Sequence, residues 1–285
     1  MNDNDNKLGP YSDAEKINLA NSQLMHQDLQ GINAKDGTFS NSNLKHANLS
    51  EANLKGANLQ GAILTGANLS GANLQNANLA GAKLRGANLQ NANIEGADFS
   101  GADLKHVNLP KKGTSWQGVN LQGADLKGLI LKEADLSGVN LQNANLKGAN
   151  LQDANLQDAN LNGANLSKAK LRNANLPKNG TNWQEVNLQG INLRDVNLQD
   201  ANLQDANLQD ANLQDANLKG ANLKGANLSR SNLSRSNLID SDLTEANLTN
   251  ARCHSIKAAR SVLKEATLSK TNFRRAGLNE ANLRK

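Results

Sequence analysis

The sequence repeats every five residues. From Asn43 it reads NLKHANLSEANLKGANLQGAILTGANL, with a large apolar residue at every fifth position, called i here, and a small residue two places before it. That period fits neither the 3.6 of a helix nor the plain alternation of a long strand. Within one repeat, however, i and i−2 point to the same side of an extended segment and i−1 points to the other. Position i+2 is mostly Gly, Asn or Asp, as at Gly56, Gly61, Gly66, Gly71, Asn76 and Gly81, residues that readily take a left-handed backbone. Each repeat therefore ends in a corner. A chain that bends at each corner with its apolar pair inward closes into a coil, and stacked coils exchange backbone hydrogen bonds as parallel strands do. The narrow interior explains the small residue at i−2, because a second large one would overpack it. Each buried Leu is worth roughly 1.5–3 kcal/mol, so the ladder folds without an aromatic core, and aromatics are only 2% of the chain.

The register holds from Leu19 to Leu109, from Leu121 to Leu176 and from Leu188 to Leu283, which gives 19, 12 and 20 centres, or 51 in all. The blocks ANLQG, ANLKG, ADLSG and ANLQD resemble the A(D/N)LXX pattern of the pentapeptide-repeat family over residues 17–285, apart from the two interruptions. The resemblance implies an all-β fold, a right-handed quadrilateral parallel β-helix with four repeats per coil and hence about 13 coils. At ~4.8 Å per coil such a rod is about 60 Å long. The expected organisation is a polar tail or cap over residues 1–16 and one β-helix over 17–285. Its register blocks are 17–109, 119–176 and 186–285, with loops near 110–118 and 177–185.

The interruptions are related to each other: LPKKGTSWQGVNLQG starts at Leu109 and LPKNGTNWQEVNLQG at Leu176. Pro110 and Pro177 cannot donate to a ladder, and Gly113 and Gly180 suit turns, so both segments read as loops leaving the wall. Treated as seven-residue insertions, they lie three full coils apart and project from one side of the rod. Trp116 and Trp183 fall at formal i positions but look too bulky for the interior. With Lys111, Lys112 and Lys178 beside them they are either knobs for a protein partner or staples over the loop bases. Residues 251–267, ARCHSIKAARSVLKEAT, have weak centres at Cys253 and Ala258. They read as continued coils, with a short helix as the alternative.

Catalysis needs unlike groups converging on a concave pocket, and a filled, uniform rod offers none, so no enzyme, cofactor or metal site is expected. Asp195, Asp200, Asp205, Asp210 and Asp215 occupy successive i+2 positions and should point from different faces in turn, as a solvated surface. Asp215 and Arg235 are 20 residues apart and should stack as an exposed ion pair. His26, His46 and His106 share one column, with the first two about 5 Å apart, too few ligands for a closed site. A lone Cys253 makes no internal disulfide. Low mean hydropathy and the lack of an apolar run near ~18 residues argue against a membrane span. The polar start MNDNDNKLGPYSDAEK lacks a signal-type apolar stretch, which favours the cytoplasm.

Three functions fit such a rod. The favoured one is a scaffold or regulator that docks proteins on its flat faces; the family resemblance adds that such proteins abound in cyanobacteria and that one similar case regulates cell differentiation. The second is weak polyanion or nucleic-acid binding by the C-terminal quarter, through Arg230, Arg235, Lys257, Arg260, Lys264, Arg274 and Arg275. Residues 217–285 hold 13 Lys/Arg against 5 Asp/Glu, a net of +8, while residues 1–216 hold 18 against 21, a net of −3. Without interleaved aromatics this binding should be salt-sensitive and indifferent to sequence. The third, implied by the family, is DNA mimicry towards gyrase or topoisomerase, which a chain of net charge +5 disfavours. The open ends of the stack suggest an end-to-end homodimer.

Overall fold

The structure, a computed structural model, describes residues 8–109, 115–177 and 182–284. Among these there is no helix, and i−1 positions from Asp13 onward form parallel bridges, outside the insertions to residues twenty away, as in Asp13↔Asn33, Asn33↔Asn53 and Asn53↔Asn73. Twenty residues with a corner every five make four faces per coil. Face one carries Asn33, Asn53 and Asn73, face two Thr38, Asn58 and Asn78, face three Asn43, Ile63 and Lys83, and face four Asn48, Asn68 and Asn88.

One set of backbone bonds recurs in each repeat. Leu49 N donates to Asn68 O at 2.7 Å, Glu51 N to Ser70 O at 2.8 Å, and Asn68 N to Ala47 O at 2.9 Å, all between coils. Ala52 N donates to Leu49 O at 3.2 Å and closes the corner. The third corner residue has φ near +60°, which marks a type II turn. Gly fills it where the conformation is free of penalty, as at Gly81 with φ 66°, yet Lys168, Arg235 and Arg275 adopt it too, at 59°, 60° and 59°. Leu and Ala enter together: Leu49, Ala52, Leu54 and Ala57 are all fully buried.

The i−1 Asn side chains form a second ladder outside the wall. Asn53 Nδ2 donates to Asn33 Oδ1 at 2.9 Å and Asn217 Nδ2 to Asn197 Oδ1 at 2.9 Å. The same oxygens accept the backbone N–H two residues on, as Asn197 Oδ1 also does from Gln199 at 3.3 Å. One amide thus pins both its corner and its neighbour coil, which explains the dominance of Asn and Asp at this position.

Three expectations are corrected. The wall starts before residue 17, since Tyr11 already forms a corner at φ 58° and Asp13 is paired. The interruptions are not seven-residue loops outside an intact wall: across them the bridges span 22 residues, as in Asp98↔Asn120 and Asn165↔Asn187, so each adds two residues to one coil. The wall resumes at Trp116 and Trp183, earlier than 119 and 186. Nor do the insertions share a side. Leu109 lies on face four and Trp116 on face one, with Gly96 N bonded to Gln117 O at 2.8 Å, whereas Leu176 lies on face one and Trp183 on face two, with Asn182 bridged to Asn202. Each Trp counts as a repeat, so thirteen faces separate Leu109 from Leu176, and the second insertion falls one corner on.

Residues 251–267 are coils, with Cys253 and Ala258 buried and Lys257 bridged to Asn237. Among the described residues no helix is long and apolar enough to cross a membrane.

Candidate interaction surfaces

The two Trp side chains are not surface knobs. Trp183 is 0% exposed and Trp116 is 5% exposed, each in line with an apolar ladder of the interior. Each indole removes a large apolar surface from water inside the rod. Trp183 Nε1 has no hydrogen-bond partner. Lys111, Lys112 and Lys178 lie outside the described residues.

The basic C-terminal quarter is partly neutralised by acids of its own and of the coil before it. Arg230, Arg235 and Arg260 sit at corners, and each grips the Asp at the same corner one coil earlier. Their Nε atoms lie 2.7 Å from Asp210, Asp215 and Asp240, with second bonds from Nη2 at 2.9, 2.7 and 2.9 Å. The Arg hydrogen bonds hold all three carboxyls below the usual carboxylate range. Lys264 pairs with Glu265 at 3.2 Å. Lys257, Arg274 and Arg275 are exposed and make no ion pair with a described residue.

The acidic run behaves as a surface. Asp195, Asp200, Asp205, Asp210 and Asp215 all hold left-handed corners; Asp195 and Asp215 share one edge a coil apart, with Arg194 lying 3.4 and 3.5 Å from them, and the other three lie on the other edges. His26 and His46 stack with ring centroids 5.2 Å apart and an interplanar angle of 24°. No group of three His, Cys, Asp or Glu able to hold a metal occurs among the described residues. Burial pushes the Cys253 thiol up to about 12, the opposite of an activated nucleophile.

A concave feature arises at the second insertion, and the sequence reading missed it. Between residues 169–176 and 190–196, on faces four and one, lies a cleft of about 690 Å³. Lys168 N still donates to Gln189 O at 3.1 Å, but no backbone bond or bridge joins Leu171–Leu176 to Asn192–Asn197. Ala169, Leu171, Ala174, Leu176, Leu193 and Val196 form its apolar floor, and Lys170, Arg172, Arg194 and Asp195 stand among its rim residues. The first insertion leaves a gap of the same kind, with no backbone bond between Leu109 and Ile130 or between Trp116 and Asp135. The sequence signal for both was the same 12-residue step, read as external loops rather than as coils of 22 residues.

A closed parallel solenoid of five-residue repeats with an apolar ladder inside defines a β-helical repeat protein whose working surfaces are its outer faces and its irregularities. Pentapeptide repeats match in eight copies, at residues 17–55, 38–71, 72–109, 112–143, 140–176, 179–210, 211–250 and 246–284, and the chain belongs to the pentapeptide-repeat family. Among solved structures it is similar to HetL from the cyanobacterium Nostoc sp. strain PCC 7120, a protein involved in heterocyst differentiation regulation. Identity is 25% over 96% of this chain and 91% of that one, with a TM-score of 0.23. It is also similar to full-length QnrB1, a plasmid-mediated fluoroquinolone resistance protein, at 20% identity over 67% of this chain and 92% of that one, with a TM-score of 0.34. A third, alr5209 from Nostoc PCC 7120, is 34% identical over 39% of this chain and 84% of that one, with a TM-score of 0.20. Among curated proteins no sequence matches.

Proposed function

We propose that the protein is a non-enzymatic rod, right-handed and of about 13 coils, that binds other proteins as a scaffold or regulator. The observation that carries this reading is the division of labour in each repeat. Positions i and i−2 fill the interior, and i−1, i+1 and i+2 form long regular faces of the kind solenoids use for docking. Binding then resides in the identity of outward side chains, with the backbone as a ruler. The experiment is affinity capture from the source cells by the intact rod, followed by cross-linking of the captured protein. Cross-links concentrated on outward positions of one or two faces support it. A small molecule turned over by the purified rod would sink it.

The apolar side chains of the last described coil give this rod a way to pair. Leu268, Phe273 and Leu278 are only partly buried there, and Leu283 is 48% exposed, an apolar floor that a second copy would cover end to end. Light scattering on the full chain should return twice the 30.3 kDa of one chain, and Phe273→Asp should return it to the monomer. Polyanion binding rests on Lys257, Arg274 and Arg275, since Arg230, Arg235 and Arg260 are already paired. DNA retention at low salt that survives Arg274→Ala and Arg275→Ala together removes that site.

A further inference from the structure

We infer that the cleft between residues 169–176 and 190–196 is a peptide-binding slot that takes one extended, acidic polypeptide segment as an added β-strand. This deepens the scaffold reading and rests on it, because it names one place and one chemistry for a bound protein.

The argument starts from the backbone. In the regular wall, i and i+2 N–H groups each donate to the next coil and i−1 N–H groups donate to the previous one, as with Leu151 N to Lys170 O and Lys170 N to Ala149 O, at 2.8 and 2.9 Å. By the same register Leu171, Asn173 and Leu176 should donate to the coil of Asn192–Asn197, and Asn192 and Asn197 should donate back. None of these bonds is present. The cleft therefore has backbone N–H and C=O groups without a strand partner on both lips. Unpaired strand edges of this kind are templates for strand addition.

The floor and rim then select the occupant. Leu171, Leu176, Leu193 and Val196 offer apolar contact to every second side chain of an extended segment. Lys170 and Arg172 are exposed on one lip and make no ion pair with a described residue, whereas Arg194 on the other already lies 3.4 Å from Asp195 and 3.5 Å from Asp215. The uncompensated charge at the slot is positive and comes from Lys170 and Arg172. A segment alternating apolar and acidic residues matches both features. The volume of about 690 Å³ lies within the range of ordinary ligand sites.

The probe is a fluorescein-labelled peptide of about eight residues alternating Val and Glu, titrated against the full chain by fluorescence anisotropy. Controls are the same peptide with Lys in place of Glu, and with N-methyl groups on alternate amides. Saturable binding is expected, weakened about tenfold or more by N-methylation, by the Lys exchange, and by the double variant Lys170→Glu, Arg172→Glu. Hydrogen exchange of segments 169–177 and 190–198 should be fast in the free protein and slowed by the peptide, while segment 145–165 is slow in both. The proposal is overturned by no saturable binding up to about 1 mM peptide, by equal binding of the N-methylated form, or by cleft amides as protected without peptide as those of segment 145–165. If those results appear while a host protein still cross-links to the outer faces of the Lys170→Glu, Arg172→Glu rod, the slot is lost and the scaffold reading survives.

Discussion

The coils from Ala47 to Leu89 and the two coils that carry the insertions solve the same packing problem with different outcomes. In the regular stretch each Leu and each Ala two places before it is buried and every coil bonds to the next. In the coils of 22 residues a Trp stands where Leu would, and the small residue that follows it becomes Val119 or Val186. Beyond the second insertion Leu176 and Val196 are only partly buried and the ladder opens. The pair of a Trp and a Val follows each insertion, although Ile32, Leu129 and Val139 fill the same small position in coils of twenty. The misfit with the next coil appears as unpaired backbone on faces four and one. Rigidity and docking capacity come from opposite regions of one repeat.

That contrast breaks most readily at Trp183. Trp183→Ala leaves a void where the indole stood and should cost about 3–5 kcal/mol, seen as a lowered denaturation midpoint. Trp183→Phe should cost far less, because it also removes the Nε1–H that lacks a partner. Both Trp should emit at short wavelength and resist acrylamide. Ready quenching would return them to the surface and undo the account of their burial.

The small-residue position sharpens the comparison. Ala67→Val in the regular stack should destabilise by about 1–3 kcal/mol through overpacking, although Val is the native residue at 186 beside Trp183. Val186→Ala should cost about 1 kcal/mol. Equal tolerance of Val at both positions would mean that the two coils are packed alike there. A smaller effect is expected at the corners. Lys168 holds φ 59°, where a Cβ is unfavourable, so Lys168→Gly should stabilise by up to about 1 kcal/mol.

The period of five in the sequence made the coil, the inward Leu and Ala, the left-handed corners, the Asp215–Arg235 pair and the His26–His46 stack legible, because each depends on residues at multiples of the repeat. The Asn33–Asn53 amide ladder was less visible, since outward position alone does not reveal a bond between coils. Trp116 and Trp183 depart from expectation for a physical reason: bulk alone does not decide exposure at a position where Phe39 is also fully buried. The slot was equally hidden. It is a property of backbone pairing between coils, and the side chains of Lys170 and Arg172 become informative only once the Leu171–Asn192 gap is known.

The smallest effect separates the charged corners from the uncharged ones. Arg230, Arg235 and Arg260 lie against Asp210, Asp215 and Asp240 in the open, where solvent and salt screen such pairs heavily. Each of these carboxyls titrates lower when folded than when unfolded, mainly because of its Arg hydrogen bonds. The unfolded chain therefore binds protons first as acid is added, and the pairs stabilise fully only above the ordinary carboxylate range. Their contribution fades as the pH falls through the depressed folded values. The triple variant Arg230→Ala, Arg235→Ala, Arg260→Ala should melt slightly below the parent at neutral pH and low salt. The difference should shrink in high salt and in acid, while Lys168→Gly keeps its gain under both. A triple variant whose deficit stays constant in salt and acid would show that these arginines act by packing their stems along the wall.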